Sequence, residues 1–476
     1  MDNQTENLEQ LQNQTMDTKV SKTTILSIVA VALLGFMGIL TETSMNVTFT
    51  ELTKEFNLSL GIVQWLTTGY LLVVALIMTT SAYFKTAFSD KRIFLYAISA
   101  FFIGDIIAII APNFWPLLLG RLIQAIGTGM AMPLLFNIIL QRVPKSHLGQ
   151  WMGFAGLILS LAPALGPSYG GLMQTVISWR GIFIVALPIA IVSLILGMIY
   201  LDNEKPFQRD GSNHSFDFKR FILLGTALTS SLLALNQLEN GGFTAWFYGL
   251  VGLTIITFAW FILASKNATK KYIDIEVFKT RSMVYALIIY AVVQAITLAV
   301  NFVLPQFAQL SLHTTTLVAG LVLMPGSILG SALNPLVGIV YDKFGSKYLM
   351  IIGNIGFTIF LGLFAFFTSN MTATIIWILY LLMTISRNPV FTSANTGGLA
   401  EVDLRFQADA NAIFTTSQQF AGAMGTTIGS LFLQVKGSNI ALQTEIGTRN
   451  FFIFVTVVAA LMFIAINRFL ANKTSK

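Results

Sequence analysis

Two acidic side chains interrupt long apolar runs of the sequence and are the first candidates for chemistry. Of the 21 Asp and Glu residues, Glu42 and Asp105 are the ones that fall well inside such runs. A charge held in hydrocarbon is costly, so an acid kept there is a functional candidate by default. Desolvation favours the neutral form of a carboxyl, and a nearby arginine favours the ionised form. A carboxyl balanced between these effects can load and release a proton, and we predict this role for both residues.

Arg121 is the basic residue that can tune these acids. It also lies inside an apolar run, where Gln124 and Thr128 follow at helical spacing. Counted from the ends of their runs, Glu42, Asp105 and Arg121 each lie about six or seven residues in, on the order of 10 Å at helical rise. We therefore predict that the three share one layer and couple to protons. A static Glu42–Arg121 ion pair and a simple hydrogen bond from Asp105 to a neighbour are the structural alternatives.

The surroundings of Glu42 in the sequence indicate which way it faces. Gly35, Gly38, Glu42 and Asn46 recur at helical spacing and form one small and polar stripe. Such a stripe faces another helix or a water-filled cavity. We therefore expect Glu42 to point into the protein interior.

A second polar region centres on Arg387, which lies deep in an apolar run and is followed by Asn388 and Ser393. We predict that it lines a cavity, where it binds an anionic substrate group or forms part of a cytoplasmic gate. The alternative is an arginine that snorkels to a membrane surface. Other polar residues also interrupt apolar runs with groups that need partners. The predicted substrate-contacting set is Asn46, Tyr70, Gln124, Gln294, Asn301, Arg387 and Gln418.

The elements that must position these residues are apolar helices. The chain has 476 residues, of which 55% are hydrophobic and 10% charged, whereas soluble domains carry about a quarter charged residues. A helix needs about 20 apolar residues to cross the hydrocarbon, and about fourteen runs reach that length. The sequence therefore predicts an all-α integral membrane protein with about 14 transmembrane helices. The predicted spans are 24–48, 61–83, 92–111, 114–139, 150–174, 181–201, 220–238, 245–265, 283–305, 315–339, 348–368, 372–396, 411–433 and 450–470.

Basic residues are distributed unevenly between alternate loops. If the N-terminus is cytoplasmic, about 22 of the 28 Lys and Arg residues fall in inside segments. An even number of helices places both termini on the same side. We predict a multi-pass protein of the cytoplasmic membrane with both termini in the cytoplasm.

Two polar segments divide the apolar runs into groups of six, two and six. They are residues 202–219 and residues 266–281. We predict a disordered cytoplasmic tail at 1–20, an N-terminal six-helix bundle at 21–205, two linker transmembrane helices at 206–275 and a C-terminal six-helix bundle at 276–476. A loop at 338–347 repeats the position of the basic loop at 85–92, and such repeats are common in transporters.

Several kinds of chemistry are disfavoured by composition. The chain has no Cys and three His, which removes thiol nucleophiles and disfavours metal sites. It has no Gly-x-x-x-x-Gly-Lys-Ser/Thr loop for ATP, so a proton gradient is the predicted energy source and no cofactor is expected. No set of acids with His or Ser forms a hydrolytic centre, and an enzyme is not predicted. Its basic residues form no continuous face for nucleic acid.

One motif in the fifth span resembles the major facilitator superfamily, and within it the fourteen-span drug/proton antiporters. Gly166, Pro167, Gly170 and Gly171 are similar to the Gly-Pro-x-x-Gly-Gly antiporter motif. Pro removes a helix hydrogen bond, while the glycines allow bending and close helix approach. The resemblance implies that these residues govern conformational exchange.

Two further motifs extend this resemblance over nearly the whole chain. Arg121 and Gln124 resemble the family's Arg-x-x-Gln-x-x-Gly motif, in which the arginine is associated with proton transfer. Gly338, Asp342 and Gly345 resemble its loop motif, whose aspartate caps a helix N-terminus and helps close the cytoplasmic side.

The sequence departs from the family pattern at three places. The first copy of the loop motif has Ser81 and Lys85 where Gly and an acid are expected. The first-span signature places Thr41 at the acid position and Glu42 one residue later, about 100° around a helix. Asp105 stands where a small residue is expected, which makes it a second proton site particular to this protein or its near relatives.

The resemblance implies a monomeric, proton-coupled antiporter that exports lipophilic, often cationic drugs from the cytoplasm by alternating access. Its partners would be small-molecule drugs, protons and the lipid bilayer. A narrow-specificity exporter of a metabolite, peptide or lipid is the alternative among transporters. A non-transporting membrane sensor or enzyme is the alternative of another class.

Overall fold

The computed structural model describes residues 20–144, 147–202, 216–240, 242–266, 275–403, 406–434 and 439–474. All regular secondary structure in these segments is helical. The predicted tail at 1–20 lies, apart from its last residue, outside the described residues. So do residues at or beside the predicted boundaries near 205 and 275, and the four-part division remains a prediction.

The described residues form fourteen long helices that follow the predicted spans in order. Their bounds are α1 Lys22–Met45, α2 Trp65–Thr79, α3 Asp90–Ile110, α4 Phe114–Arg142, α5 Leu148–Val176, α6 Gly181–Tyr200, α7 Phe218–Asn240, α8 Ala245–Lys266, α9 Arg281–Leu310, α10 Met324–Phe344, α11 Ser346–Phe367, α12 Ala373–Ala400, α13 Gln407–Phe432 and α14 Ile440–Thr474.

Within the described segments, thirteen stretches are long and apolar enough to cross a membrane, and α13 is not among them. Its sequence carries Asp409, Gln418 and Gln419 as well as many small residues. The all-α, multi-pass membrane fold is therefore confirmed, while the count of fourteen spans is not. The physical reason is that α13 directs its polar side chains to other helices. Gln418 bonds to Tyr290 of α9 at 2.8 Å, for example.

The helices pack as two bundles with a pair of helices beside them. Helices α1 to α6 contact one another, as do α9 to α14, and α7 packs against α8. The bundles meet along α2 and α13 and along α5 and α10. The central faces of α1 and α4 are thus left opposite those of α9 and α12.

Glycines on α3 and α4 bring these two helices into backbone contact. A Cβ on Gly104 would lie 2.4 Å from the carbonyl oxygen of Gly120, and one on Gly120 would lie 2.7 Å from the carbonyl oxygen of Gly104. Small residues allow such close approach in membrane helices. This contact sets Asp105 beside the polar stripe of α4.

Helix α1 changes to a 3₁₀ turn at Asn46–Thr48 and then continues as a short helix at Phe49–Phe56. Hydroxyl groups on both sides of the turn bond to the backbone, from Ser44 to Leu40 at 2.5 Å and from Thr48 to Met45 at 2.8 Å. Such side-chain bonds compete with the helical ladder. The turn leaves main-chain carbonyls available to the second bundle.

Hydrogen bonds join the two bundles on one side of the molecule. Near the end of α1, Gln306 and Gln309 of α9 donate to the carbonyl oxygens of Asn46 and Val47 at 2.6 and 2.8 Å. We call the other side the terminal side, because α1 begins and α14 ends there. Gly153, Gly156 and Gly338 have no neighbour within 4 Å of the position a Cβ would take.

Candidate functional site

Helices α1 to α4 assemble Glu42, Tyr70, Asp105, Arg121 and Gln124, which we call the N-terminal cluster. Gln124 joins two of its charged members. Its Oε1 accepts a hydrogen bond from Nη1 of Arg121, and its Nε2 donates to Oδ1 of Asp105 at 2.7 Å. Because arginine only donates, the amide orientation is fixed, and Asp105 must accept from Gln124. The structure thus brings together Asp105 and Arg121, two of the three residues predicted to share a layer, through an amide link that the sequence did not predict.

Arg121 is fully buried and is held by contacts on several sides. Its Nη1 also donates to the hydroxyl of Thr41 at 3.3 Å, and its guanidinium lies 4.1 Å from the ring centroid of Tyr70. The Tyr70 hydroxyl donates to the carbonyl of Gly38 at 2.9 Å and lies 2.6 Å from the hydroxyl of Thr128. A cation over an aromatic face is stabilised when desolvated. Tyr70 therefore helps to position the Arg121 guanidinium.

Glu42 is only 5% exposed, and its Oε1 has no hydrogen-bond partner within the described residues. Asp105 is fully buried, and its Oδ2 is likewise without a partner there. The salt bridges found among the described residues involve neither acid. A direct Glu42–Arg121 ion pair, the structural alternative from the sequence, is thus not formed. Asp105 does hydrogen-bond to a neighbour, but only through one oxygen.

Helices α9, α12 and α13 gather four of the sequence-predicted substrate residues into a second group, Gln294, Asn301, Arg387 and Gln418, which we call the C-terminal cluster. Arg387 donates from Nη1 to Thr297 at 3.4 Å and from Nη2 to Oδ1 of Asn388. Asn301 accepts from the hydroxyl of Tyr380 at 2.9 Å, and Gln418 accepts from that of Tyr290 at 2.8 Å. Gln294 lies on the same face of α9 as Thr297 and Asn301. These residues surround one region of the second bundle.

The depth of Arg387 decides between cavity lining and snorkelling. It lies near the middle of α12, which runs from Ala373 to Ala400, so each helix end is about 20 Å away at helical rise. An arginine side chain is too short to reach a membrane surface from there. Its guanidinium is also directed toward Thr297 on another helix. Snorkelling does not explain this residue.

Asn46 lies apart from both clusters. Its Oδ1 accepts from Thr67 at 2.9 Å and its main-chain oxygen accepts from Gln306 at 2.6 Å. Thr50 in turn donates to Oε1 of Gln306 at 2.7 Å. The structure places Asn46 at the contact between the bundles, on the side away from the termini.

The glycines of the fifth-span motif lie at tight helix contacts. A Cβ on Gly166 would lie 1.9 Å from the Thr43 hydroxyl, and one on Gly170 would lie 2.3 Å from the carbonyl oxygen of Ser44. A Cβ on Gly171 would meet Thr316 and Leu317 of the second bundle at 2.8 Å. The carbonyl of Pro167 lies against Gly320 in the same segment. The motif therefore joins α1, α5 and the second bundle.

The loop motif lies at the terminal side. Asp342 lies near the end of α10, and its side chain is outside the described part of the structure. Gly345 has a φ of +73° and connects α10 to α11. In the first copy of the loop, Asp90 pairs with Arg142 of α4 at 3.4 Å, and Lys85 donates to Asn137 at 3.4 Å. These contacts stay within the first bundle.

Sequence reasoning missed the aromatic side of the C-terminal cluster. Tyr290 stacks on Phe391 with ring centroids 4.3 Å apart and planes at 20°, and Thr297 and Tyr380 bond to predicted residues. The spacing of Tyr290, Gln294, Thr297 and Asn301 along α9 is a helical stripe that could have revealed them. Among the described residues no group of three or more His, Cys, Asp or Glu is placed to hold a metal ion.

Sequence comparison finds bacterial relatives that match most of this chain. The chain is 30% identical over 408 residues to the lincomycin resistance protein LmrB of Bacillus subtilis, covering 84% of this chain and 83% of that protein. It is 26% identical over 390 residues to a multidrug resistance protein B homolog of Mycobacterium tuberculosis, covering 80% and 70% of the two chains. Both relatives are matched over most of their length.

Solved structures share the fold. The xylose transporter XylE from E. coli, in a partially occluded inward open conformation, superposes with a TM-score of 0.60 at 15% identity, over 92% of this chain and 97% of that one. At this identity the likeness concerns the fold. The sequence profile of the Major Facilitator Superfamily matches residues 31–426. Two helical bundles with polar clusters on their facing helices, together with this match over most of the chain, establish that the protein is a transporter of the major facilitator superfamily.

Proposed function

We propose that this protein exports lipophilic, often cationic drugs from the cytoplasm in exchange for protons. The names of its relatives, lincomycin resistance protein and multidrug resistance protein B homolog, support drug efflux. The transporter resides in the cell membrane as a monomer, with both termini in the cytoplasm. It works by alternating access, in which the bundles at 21–205 and 276–476 rock about the space between them.

The observation that carries this proposal is the pair of buried carboxyl oxygens without partners. Oε1 of Glu42 and Oδ2 of Asp105 lie buried in the N-terminal cluster and receive no hydrogen bond from the described residues. A buried carboxylate oxygen without a donor is unfavourable. A proton or a substrate cation removes that cost, and the two compete for it. Antiport follows when binding of one requires release of the other.

The rest of the N-terminal cluster supports this exchange. Arg121 contacts neither acid directly, so it favours the ionised forms through space and does not lock them in a salt bridge. Gln124 ties Arg121 to Asp105, and protonation of one acid is thereby transmitted to the position of the arginine. When the bundles part at the terminal side during alternating access, a drug enters from the cytoplasm and displaces protons.

The proposal is tested with purified protein in proteoliposomes, using ethidium as the cationic probe. An imposed proton gradient should drive ethidium transport by the parent protein, and Glu42→Gln should abolish it at unchanged expression. Glu51→Gln is the matched control, because Glu51 follows in the chain after α1 and is 46% exposed at its side chain beside Lys54. That control should transport ethidium as the parent does.

Three results would contradict the proposal. Full gradient-driven ethidium transport by Glu42→Gln would remove Glu42 from proton coupling. Ethidium binding by the parent without any gradient-driven transport would favour a membrane sensor. A substrate panel that yields a single transported metabolite, peptide or lipid would favour the narrow-specificity exporter.

A further inference from the structure

The second bundle carries a deep positive charge and no acid near it. Its six acids all lie at or near helix ends, and the helices that surround Arg387 at its depth contain none. The acids in residues 276–476 are Glu276, Asp342, Glu401, Asp403, Asp409 and Glu445. On α12 itself the nearest is Glu401, about 20 Å along the helix axis. Arg387 therefore lies midway along α12 without a counter-ion from its own bundle.

The groups that face Arg387 are neutral. Helix α9 presents Thr297 and Tyr290, and α12 presents Asn388 and Phe391. Tyr380 lies on α12 two turns before Arg387. These hydroxyl and amide groups solvate a guanidinium in part but do not neutralise it. A buried charge that lacks a counter-ion is costly. An anion that enters the site would remove this cost.

One edge of the guanidinium is held ready for such an anion. Nη1 donates to Thr297 and Nη2 to Asn388, while Nε has no partner within the described residues. Nε and the second hydrogen of Nη2 lie on the same edge, which matches the two oxygens of a carboxylate. Arg387 is partly accessible as a residue, whereas Nε itself is buried, so an anion reaches this edge when the surrounding helices move apart during transport.

The position of this edge is fixed by the residues behind it. Oδ1 of Asn388 accepts from Arg387, and Nδ2 of Asn388 donates to the carbonyl of Gly330 on α10. A Cβ on Gly330 would lie 2.4 Å from Thr384, so close contact of α10 and α12 holds that carbonyl in place. Preorganised donors spend little entropy on binding.

An aromatic wall lies next to the guanidinium. The ring centroid of Phe391 is 5.4 Å from Cζ of Arg387, and Phe391 stacks on Tyr290. Tyr290 in turn packs edge-on against Phe414 of α13 with centroids 5.2 Å apart. Planar aromatic groups pack well on such surfaces.

We propose that the C-terminal cluster binds substrates that carry a carboxylate on an aromatic ring system, with the carboxylate on the Nε edge of Arg387 and the ring against Phe391 and Tyr290. This inference rests on the proposed export function, because it assigns a second substrate class to the space between the bundles. Cationic substrates bind at the acids of the first bundle. Aromatic anions bind at Arg387 of the second bundle.

Three probes of the same shape test the charge requirement. They are 1-naphthoate, the neutral 1-naphthamide and the cation 1-naphthylmethylammonium, each titrated into purified parent protein in detergent by calorimetry. The parent should bind 1-naphthoate about 10-fold or more tightly than 1-naphthamide, because charge-assisted hydrogen bonds are roughly twice as strong as neutral ones. Equal affinities for the two probes would overturn the proposal. Acetate that competes as well as 1-naphthoate would overturn the aromatic part of it.

Variants then assign the preference to Arg387. Arg387→Gln should lose the preference for 1-naphthoate and retain the weaker binding of 1-naphthamide. Arg387→Lys, which keeps the charge without the planar edge, should fall between the two. Arg468→Gln removes a charge from an exposed position of α14 and should bind as the parent does. A preference that survives in Arg387→Gln would overturn the assignment.

A second variant guards against misfolding of the first. Asn388→Asp gives Arg387 an internal carboxylate of nearly the same size, although it loses the donor to the Gly330 carbonyl, and it should reduce 1-naphthoate binding with Arg387 still present. Binding of 1-naphthylmethylammonium reports that each variant is folded. If Asn388→Asp binds 1-naphthoate as tightly as the parent, the free edge of Arg387 is not the anion site.

The outcome is separable from that of the proposed function. Selective 1-naphthoate binding without gradient-driven ethidium transport would refute proton-coupled drug export while supporting the anion site. Gradient-driven ethidium transport without selective 1-naphthoate binding would refute the anion site alone.

Discussion

Gln306 of α9 donates through Nε2 to the main-chain oxygen of Asn46 at 2.6 Å, and this bond joins the two bundles on the side away from the termini. The acceptor is available because α1 passes through a 3₁₀ turn at this point. Both side chains are almost completely buried. The bond thus forms part of the closed end of the transporter.

Gln306→Ala should shift the molecule toward conformations that open on this side. The substitution removes two buried hydrogen bonds, one to the Asn46 carbonyl and one from Thr50. At about 1 kcal/mol each, their loss corresponds to a population shift of roughly 30-fold. Because the chain has no Cys, a single cysteine introduced at Gln294 can report the opening through its rate of labelling by an impermeant maleimide. The rate should rise by that factor in Gln306→Ala. An unchanged rate would show that these bonds do not hold the end closed.

Asp105→Asn should lower the number of protons released when detergent-solubilised protein binds ethidium. Asparagine keeps an oxygen that accepts from Gln124, so the fold is retained while the titrating group is lost. The pH dependence of ethidium export should become shallower. If proton release and export both equal those of the parent, Asp105 is a structural hydrogen-bonding residue and Glu42 acts alone.

Gln124→Leu should destabilise the protein and uncouple Asp105 from Arg121. The substitution leaves an arginine and a carboxyl without their shared partner, and a hydrogen bond to a charged group contributes about 1.5–3 kcal/mol. The thermal midpoint in detergent should fall by several degrees. In the Gln124→Leu background, Asp105→Asn should change proton release less than it does in the parent. Equal effects in both backgrounds would show that the two residues are independent.

Gly166→Ala should destabilise the protein, whereas Gly156→Ala on the same helix should be nearly neutral. The new methyl group at 166 would overlap the Thr43 side chain, while the one at 156 meets open space. Overpacking of this kind costs about 1–3 kcal/mol. Thermal unfolding of the two variants side by side provides the comparison. Equal midpoints would mean that α1 and α5 are not held together at this contact.

The long apolar helices were predictable because membrane solvation leaves a strong signal in composition. The predicted spans follow the observed helices in order, and the layer that contains Asp105 and Arg121 is present because depth along a helix can be counted. The link through Gln124 could not be predicted. It depends on the backbone contact at Gly104 and Gly120, which sets the rotation of α3 against α4.

Contacts between helices that are far apart in the sequence also could not be predicted. The stack of Tyr290 on Phe391 joins α9 to α12, and no local pattern encodes that pairing. The sequence predicts helix α13 as a span like the others, yet its polar residues leave it outside the thirteen stretches that are apolar enough to cross a membrane. A hydropathy window cannot distinguish polar residues that bond to neighbouring helices from polar residues that reach water.

The bundles meet along two contacts, α2 with α13 and α5 with α10, and these contacts differ in which further helices cover them. Helix α7 packs against both α2 and α13, so a molecule dissolved in the bilayer meets protein along that contact. At the terminal side of the other contact, Phe154 and Leu157 of α5 and Leu336 and Ile339 of α10 are exposed. A lipophilic compound in the leaflet on that side can therefore contact α5 and α10 directly, without first passing through water.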